Sequence, residues 1–413
     1  MKYPSKDQVL KLGIGICSVL ILFTLSRNYI SPVYHSFKLE RADKKNFDNL
    51  QLLNSAIAQE INKLNGNLKT NTVYISVPSD EEDCSDIELP ILAKDWRYHC
   101  ASNENYRSTD GKGWIPMVFS DNKNALNKQL PIDNENNHEN LRYFSFVANS
   151  SSSDFALTGM FDSAKYIADH ATQDKGADSI RLELGNNISL WAISQGITSY
   201  WTQSEDTKSL VSKNVNTLNE TEEIITKHPR SIEECVVLRC LKITKENRII
   251  STSSTSNFST DLDGAYSFLF KITSAPQYNS TLYNPGTDRL DVNIEGKTGA
   301  LFVWLQTSTT SGRLVYKSPS QKYTDNKWHA ILINKRSNEL EVYIDRTNVA
   351  SIDSSSPTVN DLSRSQIAIN GFSSPEDDYI LMDDLKNYNR NMNITEIKAL
   401  YSRMNALISY KKY

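Results

Sequence analysis

Residues 327–351, KWHAILINKRSNELEVYIDRTNVAS, contain the clearest structural pattern in the chain. Apolar residues sit at strand spacing in two short runs, 329–333 and 341–344, and the polar stretch KRSNEL separates these runs. A spacing of two places alternate side chains on one face of a β-strand, and a short polar stretch between two such runs favours a turn. The pattern therefore predicts a β-hairpin within an antiparallel sheet.

The sequence on both sides of this hairpin has the same character. From residue 196 onward, short strand-like runs alternate with turn signals, and no helical run occurs until the end of the chain. This organisation favours a β-sandwich. Near the end, residues 379–401, YILMDDLKNYNRNMNITEIKALY, predict a final strand that re-enters the sandwich and then a helix. We expect the helix to begin near Thr395, with Asn393 or Thr395 as its cap and Glu396 in its first turn. Its predicted buried face consists of Ile397, Leu400 and Met404.

Several ordered segments resemble laminin-G-like jelly-roll domains of the concanavalin-A type. They are GITSYWTQSEDTKSLVSKNVNTLN from Gly196, AYSFLFKI at 265–272, the Trp-His hairpin quoted above, QIAINGF at 366–372 and the chain's final strand and helix. The resemblance implies an all-β jelly-roll domain over residues 196–405, followed by a tail at 406–413. Arg346 stands where the family tends to have a glycine.

The N-terminus has a basic leader and then an apolar run at 12–25. Counted from Val9, with Lys11 snorkelling to the interface, the run approaches the length of a membrane span. A cleaved signal peptide is the alternative, but no Ala-x-Ala-like cleavage site follows the run. We therefore predict a leader and transmembrane anchor over residues 1–32, with membrane contact through residues 9–25.

An amphipathic stem helix is predicted over residues 33–66, because apolar residues recur there at steps of three and four. The predicted apolar face is Phe47, Leu50, Leu53, Ile57, Ile61 and Leu64. Gly66 and Asn67 provide the signal that ends the helix.

Residues 67–195 form the predicted head, in which FSFVA and FALTG, joined by NSSSSD, indicate a second hairpin. The Cys…Tyr-His-Cys segment, followed by GWIP and LPID, resembles the head of type IV pilin-like (pseudopilin-like) bacterial proteins. Ser163-Ala164-Lys165-Tyr166 is expected to close the head sheet against the stem. The apolar run lacks the glutamate of a prepilin motif, so an anchored protein is favoured, and a subunit of a pilus or secretion-type filament is the alternative.

The chain contains five cysteines, one of which, Cys17, lies in the apolar run. The other four form two close pairs, Cys84 with Cys100 and Cys235 with Cys240. Their spacing does not fit a zinc site, and an even count fits disulfides formed in an oxidising compartment. Buried free thiols are the alternative, and four cysteines permit three pairings. We predict two disulfides, and hence that the large C-terminal part lies outside the cell membrane as a single-pass protein.

The predicted fold class is α+β: a membrane-anchored long helix, a small pilin-like β head and an all-β jelly-roll sandwich. A net charge of −4 without a basic, aromatic-rich block predicts no nucleic-acid partner. The sequence also lacks the paired-carboxylate spacing of glycosidases, a nucleophile elbow, a P-loop and an HExxH motif, so we do not expect an enzyme.

We expect a carbohydrate- or protein-binding domain, used for adhesion or surface recognition. Trp201, Trp304 and Tyr316 are the candidate stacking residues, although aromatic residues in strands more often face a core. Asp383 and Asp384 are candidate calcium ligands, because Ca²⁺ prefers several carboxylate and carbonyl oxygens. The simpler interpretation is an aspartate that binds backbone amides at a strand end, and no other cofactor is expected.

Overall fold

The computed structural model describes residues 31–63, 68–119, 126, 128–149, 153–203, 209–214, 222–226, 230–231, 235–237, 240–243, 264–284, 290–307, 310–336, 339–353, 366–368 and 379–410. The predicted membrane segment at residues 9–25 and Cys17 lie outside these residues.

The head consists of a long helix packed on one sheet. Helix α1 spans Ser31–Glu60, and a 3₁₀ turn, Ile61–Lys63, follows it. The five-stranded sheet has the order β2-β1-β3-β4-β5, with strands Thr72–Ile75 (β1), Arg97–Cys100 (β2), Phe144–Asn149 (β3), Asp154–Met160 (β4) and Arg181–Gly185 (β5). Two short helices, Ala164–Asp169 (α2) and Ser189–Ser194 (α3), and the 3₁₀ turn Ala171–Gln173 complete it.

The head forms largely as its sequence pattern predicts. Strands β3 and β4 pair antiparallel as the expected hairpin. Leu50, Leu53 and Ile57 of α1 are fully buried, because their spacing places them on the helix face that meets the sheet. Ser163 caps α2, and its backbone N–H donates to Asp43 of α1 over 2.6 Å, so this segment closes the head against the helix.

The C-terminal part is a sandwich of two sheets. The larger sheet has ten strands in the order β18-β17-β16-β11-β20-β6-β7-β8, with β10 paired to β20 and β9 paired to β10. Its strands are Ile197–Gln203 (β6), Ser209–Asn214 (β7), Glu222–Thr226 (β8), Arg230–Ser231 (β9), Cys240–Ile243 (β10), Gly264–Ile272 (β11), Trp328–Arg336 (β16), Glu339–Ile344 (β17), Thr347–Asp353 (β18) and Ile380–Tyr388 (β20).

The smaller sheet has five strands in the order β15-β14-β13-β12-β19. These strands are Ser280–Asn284 (β12), Leu290–Ile294 (β13), Leu301–Thr307 (β14), Thr310–Lys317 (β15) and Gln366–Ala368 (β19). The two sheets enclose a core of alternating apolar residues that includes Phe268, Phe270, Val292, Val303 and Ile331. This arrangement is a jelly-roll sandwich, as the sequence predicts.

The β-hairpin predicted within residues 327–351 is confirmed. Strands β16 and β17 pair antiparallel, with Ile331 opposite Ile344 and Ile333 opposite Val342. The predicted final strand is also confirmed: β20 lies between β11 and β6 in the larger sheet. Strand β19 contains the first residues of QIAINGF, and the rest of that segment lies outside the described residues.

A last helix, Ile394–Tyr410 (α4), packs between the head and the outer face of the larger sheet. Asn393 caps it, since the Glu396 backbone N–H donates to Asn393 Oδ1 over 2.9 Å, while Asn393 N–H donates to Glu396 Oε2 over 3.0 Å. This reciprocal pair is a capping box. Ile397 and Met404 are buried and Leu400 is half-buried, as predicted. The contact region between head and sandwich is called the seam below.

Two predictions require correction. The prediction of a single-pass membrane protein with a membrane-anchored helix is contradicted, because no helix within the described residues is long and apolar enough to cross a bilayer. Helix α1 is long, but it carries charged residues along its length, including Lys38, Glu40, Arg41, Asp43 and Lys44. The tail predicted from residue 406 is instead part of α4 as far as Tyr410, because Leu407 and Ile408 continue its buried face.

Candidate functional site

The candidate site is the outer face of the smaller sheet, which is defined by the register of three strands. On β13 and β14, Val292 and Val303 point into the sandwich core. Because successive side chains of a strand alternate between faces, the residues beside them point outward. Asp291 lies directly opposite Trp304, and Asn293 lies directly opposite Phe302.

This outer face combines apolar and polar side chains in adjacent columns. Trp304 and Phe302 are partly exposed, and Leu314, paired with Trp304 on β15, is 44% exposed. The column on β13 holds Asp291 and Asn293, whose Oδ1 accepts a hydrogen bond of 2.8 Å from the Thr281 hydroxyl. Directly opposed side chains in antiparallel strands lie about 5 Å apart, so one ligand can contact both columns. We call the set Asp291, Asn293, Phe302, Trp304 and Leu314 the Trp304 face.

An ion pair marks one edge of the Trp304 face. Lys317 Nζ, at the end of β15, lies 2.8 Å from Glu295 Oε1, just beyond β13. The hydrogen bonds from Lys317 and Thr298 lower the pKa of Glu295, so this carboxylate is ionised at neutral pH. The edge therefore offers both signs of charge, while the centre of the face is aromatic.

The structure places the three predicted stacking residues differently. Trp304 lies on the outer face of the smaller sheet, whereas Tyr316 pairs with Val303 and packs against the sandwich core. The Tyr316 hydroxyl lies 3.5 Å from that of Tyr323, and burial raises the pKa of Tyr316 to about 12. Trp201 lies on β6, opposite Ser212 of β7, and its binding role stays a prediction.

Asp383 and Asp384, the calcium candidates, are both buried in the middle of β20. Asp383 Oδ2 accepts the backbone N–H groups of Val236 and Val237 over 2.9 and 2.8 Å. Asp384 pairs with buried Lys386 at 2.9 Å. Both carboxylates thus have partners within the fold, as the simpler interpretation expects. Among the residues described, no group of three or more His, Cys, Asp or Glu could hold a metal ion, and calcium binding stays a prediction.

Both predicted disulfides are present. Cys84 and Cys100 join a long loop to β2 of the head, with a Cα–Cα distance of 5.5 Å. Cys235 and Cys240 close a short loop with a Cα–Cα distance of 5.2 Å, and this loop contains the two amides that bind Asp383. The second bridge therefore stabilises the loop that satisfies a buried carboxylate in the centre of the larger sheet.

His329 of the Trp-His hairpin has a structural role that the sequence analysis did not identify. Its Nδ1 lies 2.7 Å from Asp345 and its Nε2 lies 3.0 Å from Asp325. Burial lowers the pKa of His329, but hydrogen bonds and charge from Asp345 and Asp325 outweigh burial and raise it. The imidazole thus joins the turn after β17 to the loop before β16.

The sequence analysis also missed Asp291, Asn293 and Phe302. Their signal was the alternation in LDVNI and LFVWL, in which every second residue is Val, Ile or Leu. Alternation identifies two strands, but the cross-strand pairs Asp291–Trp304 and Asn293–Phe302 depend on a register that no single segment contains.

The chain is similar to several solved structures of toxin binding domains. It shares 16% identity and a TM-score of 0.41 with the binding domain of Paraclostridial Mosquitocidal Protein 1, covering 50% of this chain and 51% of that one. For the receptor-binding domain of botulinum neurotoxin C/D mosaic serotype the values are 13%, 0.41, 50% and 51%. For the binding domain of botulinum neurotoxin DC, solved in complex with rat synaptotagmin II, they are 12%, 0.40, 51% and 52%. The chain spans about half the length of each of these structures.

No curated protein matches the chain. A family model does match it: the laminin G domain, over residues 274–382. This range begins just after β11, contains the whole smaller sheet and the β16–β17 hairpin, and ends within β20. Residues 274–382 of this chain thus match the laminin G domain, and this part of the jelly-roll sandwich bears the Trp304 face.

Proposed function

We propose that this chain is a binding protein that recognises a carbohydrate or protein ligand through the Trp304 face. The observation that carries the proposal is the row of partly exposed Phe302, Trp304 and Leu314 beside Asp291 and Asn293. The match to the laminin G domain over residues 274–382 supports a binding role for the same sheet.

Surface exposure of a tryptophan, a phenylalanine and a leucine in one patch supports this proposal on physical grounds. Contiguous apolar surface is disfavoured in water, and polar-rimmed patches of this kind mark interaction sites. An indole ring provides a flat apolar surface for stacking, and a carboxylate such as Asp291 accepts hydrogen bonds. Asn293 is only 8% exposed and its Oδ1 accepts from Thr281, so it supports the face from beneath. Within the described residues, α4 and the head cover the outer face of the larger sheet, whereas the Trp304 face lies on the opposite, smaller sheet.

We propose binding without catalysis. Glycoside hydrolysis, the reaction best known from sandwich enzymes, requires two carboxyl groups at a fixed separation across the scissile bond. Of the two carboxylates at the Trp304 face and its edge, Glu295 is paired with Lys317. We therefore propose that Asp291 acts as a hydrogen-bond acceptor and not as half of a catalytic pair.

A glycan array probed with the full chain and with Trp304→Ala tests the proposal. We expect the wild-type chain to bind a subset of glycans and the variant to lose at least about tenfold in affinity, as for the loss of a central aromatic anchor. Tyr410→Ala, at a 43% exposed aromatic residue on α4, is the matched control and should bind like wild type. Equal binding by Trp304→Ala and wild type would contradict the proposal. If no glycan binds, crosslinking to candidate protein ligands should show the same dependence on Trp304.

A filament subunit is the second candidate, and a specific observation favours it. Tyr34 and Phe37, in the first turns of α1, are 70% and 50% exposed. A helix that packs on a sheet at one end and exposes aromatic residues at the other suits lateral contact with like subunits. Negative-stain electron microscopy of the purified chain should then show filaments that Tyr34→Ser with Phe37→Ser abolishes. Monomers in both preparations would exclude self-assembly of this chain.

A further inference from the structure

A cavity of about 60 Å³ lies in the seam, and both halves of the molecule line it. Met160, Arg181 and Trp191 belong to the head, while Tyr388 ends the last strand of the sandwich and Arg390 and Met392 follow it. The volume is about four times the minimum that holds one water. Cavities at domain interfaces that combine apolar walls with a few polar groups are typical ligand sites.

Two donors at this cavity are buried without an acceptor. Arg181 and Trp191 are each 2% exposed. Among the described residues, no acceptor lies within hydrogen-bond distance of Arg181 Nε or Trp191 Nε1. The two side chains are adjacent, since the Arg181 guanidinium carbon lies 4.8 Å from the centre of the Trp191 ring. A buried donor without a partner is unfavourable, so these groups together indicate an acceptor beyond those that the described residues provide.

The other charged groups of the cavity do not satisfy Arg181. Arg390 donates to Glu396 over 2.7 and 3.1 Å and to the Gln195 carbonyl over 2.6 Å, so these two residues satisfy each other. Asp178 Oδ2 lies 3.6 Å from Arg181 Nε, beyond hydrogen-bond distance, and Asp178 Oδ1 accepts from the Ile180 N–H instead. Thr158 accepts from Arg181 Nη1 at 3.4 Å. Arg181 therefore lacks the paired acceptor oxygens that a guanidinium favours.

We propose that the seam cavity binds a small aliphatic carboxylate of two to four carbons. One carboxylate oxygen would accept from Arg181 Nε and the other from Trp191 Nε1, which supplies the two hydrogen-bond acceptors that these donors lack among the described residues. The aliphatic chain would contact the buried side chains of Leu141, Met160 and Met392. Because these residues come from both the head and the sandwich, the ligand stabilises their association.

Thermal unfolding of the full chain at neutral pH tests this site with sodium butyrate, sodium acetate and sodium chloride at equal ionic strength. We expect a saturable rise in Tm with butyrate, a smaller rise with acetate and none with chloride. Butyramide, which has nearly the shape of butyrate but no charge, should give a much smaller rise at the same concentration.

Two variants assign the effect to the cavity. Trp191→Phe keeps the ring and removes the donor, so butyrate affinity should fall about fivefold, the usual effect of one hydrogen bond. Butyrate affinity should fall further in Arg181→Lys, because an ammonium group cannot reproduce the geometry of a guanidinium group. Tyr278→Phe, at a 59% exposed aromatic residue that does not line the cavity, is the matched control and should bind butyrate like wild type. If Arg181→Lys does not fold, Trp191→Phe still tests the site.

Equal Tm values in butyrate and chloride would overturn the proposal and leave solvent as the occupant. An equal response to butyramide would also overturn it, since the site would then accept a neutral oxygen. Unchanged butyrate affinity in Trp191→Phe would place the ligand elsewhere. None of these outcomes bears on the Trp304 face, whose ligand is tested separately.

Discussion

The turn between β17 and β18 has a backbone that suits glycine better than the residues it contains. Asp345 and Arg346 have φ values of 49° and 75°, and Ile344 pairs with Thr347 across them. A two-residue hairpin loop with φ above zero at both positions favours Asp-Gly, because glycine has no Cβ to clash. The Asp345 carboxylate has a structural role, because it accepts a hydrogen bond from Ala330 N–H and binds His329. The Arg346 side chain, in contrast, is exposed.

We therefore expect Arg346→Gly to raise the free energy of unfolding by about 0.5–1 kcal/mol. Urea unfolding followed by fluorescence measures this change, with Arg346→Lys as a control that keeps the strain and should match wild type. A loss of stability in Arg346→Gly would mean that arginine contributes a contact that outweighs its strained backbone. The sequence already indicated this position, because Arg346 replaces a glycine of the family pattern.

The candidate site shows what single residues reveal and what they do not. A tryptophan in a strand either packs in the core or forms part of a binding surface, so the sequence identified Trp304 as a candidate. The sequence did not predict which face of the sheet Trp304 occupies. Asp291 and Asn293 are ordinary residues in LDVNI, and only their register opposite Trp304 and Phe302 makes them candidates. Tyr316 has the same residue-level signal as Trp304, but a change of register between Val303 and Trp304 places it on the inner face.

At the scale of elements, local patterns predicted the two hairpins, α1 and α4, because each depends on periodicity and caps within one segment. The attachment of α4 was not predictable in this way. Its partners are the Leu89 carbonyl, which accepts from Asn393 over 2.8 Å, and Ile91 N–H, which donates to Glu396 over 3.3 Å. These contacts join positions about 300 residues apart in sequence.

Glu396 is the centre of this attachment. Its carboxylate accepts from Arg390, from Asn393 N–H and from Ile91 N–H, and it is 8% exposed. Removing one partner of a buried ion pair leaves the other charge without compensation. We expect Glu396→Ala to lower the free energy of unfolding by about 3–5 kcal/mol.

Chemical denaturation measures that change, and two controls separate its causes. Glu396→Gln keeps an acceptor for the backbone amides, so its loss should be smaller than that of Glu396→Ala. Thr395→Ala, in the first turn of α4 with an exposed side-chain bond to Glu88, should differ little from wild type. A change below about 1 kcal/mol in Glu396→Ala would show that this carboxylate does not hold α4 to the head, since such values are typical of exposed ion pairs.

Where α1 packs against the rest of the head, acidic side chains outnumber basic ones. Asp43, Asp133 and Asp162 surround Arg142, and Asp162 also accepts from Arg403 of α4 over 2.8 Å. Three carboxylates thus face two guanidinium groups. Burial raises the pKa of Asp43 to about 6, although the charge of Arg142 lowers it in part.

The sign of the pH effect follows from this shift. Between the ordinary value of 3.8 and about 6, the folded protein binds a proton at Asp43 that the unfolded chain has released. The free energy of unfolding should therefore fall as pH rises through this interval, by about 3 kcal/mol for this one group, since one pKa unit corresponds to about 1.4 kcal/mol. Unfolding measured at pH 4.5 and at pH 7 for wild type and Asp43→Asn tests this effect. The difference in stability between the two proteins should change with pH, and parallel pH profiles would contradict it.

At the scale of the whole molecule, the head and the sandwich share one apolar core. Leu269 and Leu332 on the outer face of the larger sheet belong to the same buried cluster as Leu50 of α1 and Phe146 of the head sheet. Helix α4 completes this cluster through Tyr401, whose hydroxyl donates to the Tyr343 carbonyl over 2.9 Å, and through Met404 and Leu407. The larger sheet is thus covered on both faces, by the smaller sheet on one side and by α4 and the head on the other.

A shared core predicts that the full chain unfolds in one cooperative transition, because neither half retains its buried surface when the other unfolds. Differential scanning calorimetry should give a single peak whose van't Hoff enthalpy approaches the calorimetric enthalpy. A fragment of residues 196–413 lacks the head and would expose the apolar face of α4, so we expect it to self-associate or to melt well below the full chain. Glu396→Ala, which weakens the seam, should broaden or split the peak, whereas Trp304→Ala should leave its shape unchanged. Two separate peaks in the wild-type chain, with one matching the isolated fragment, would show that the head and the sandwich unfold independently.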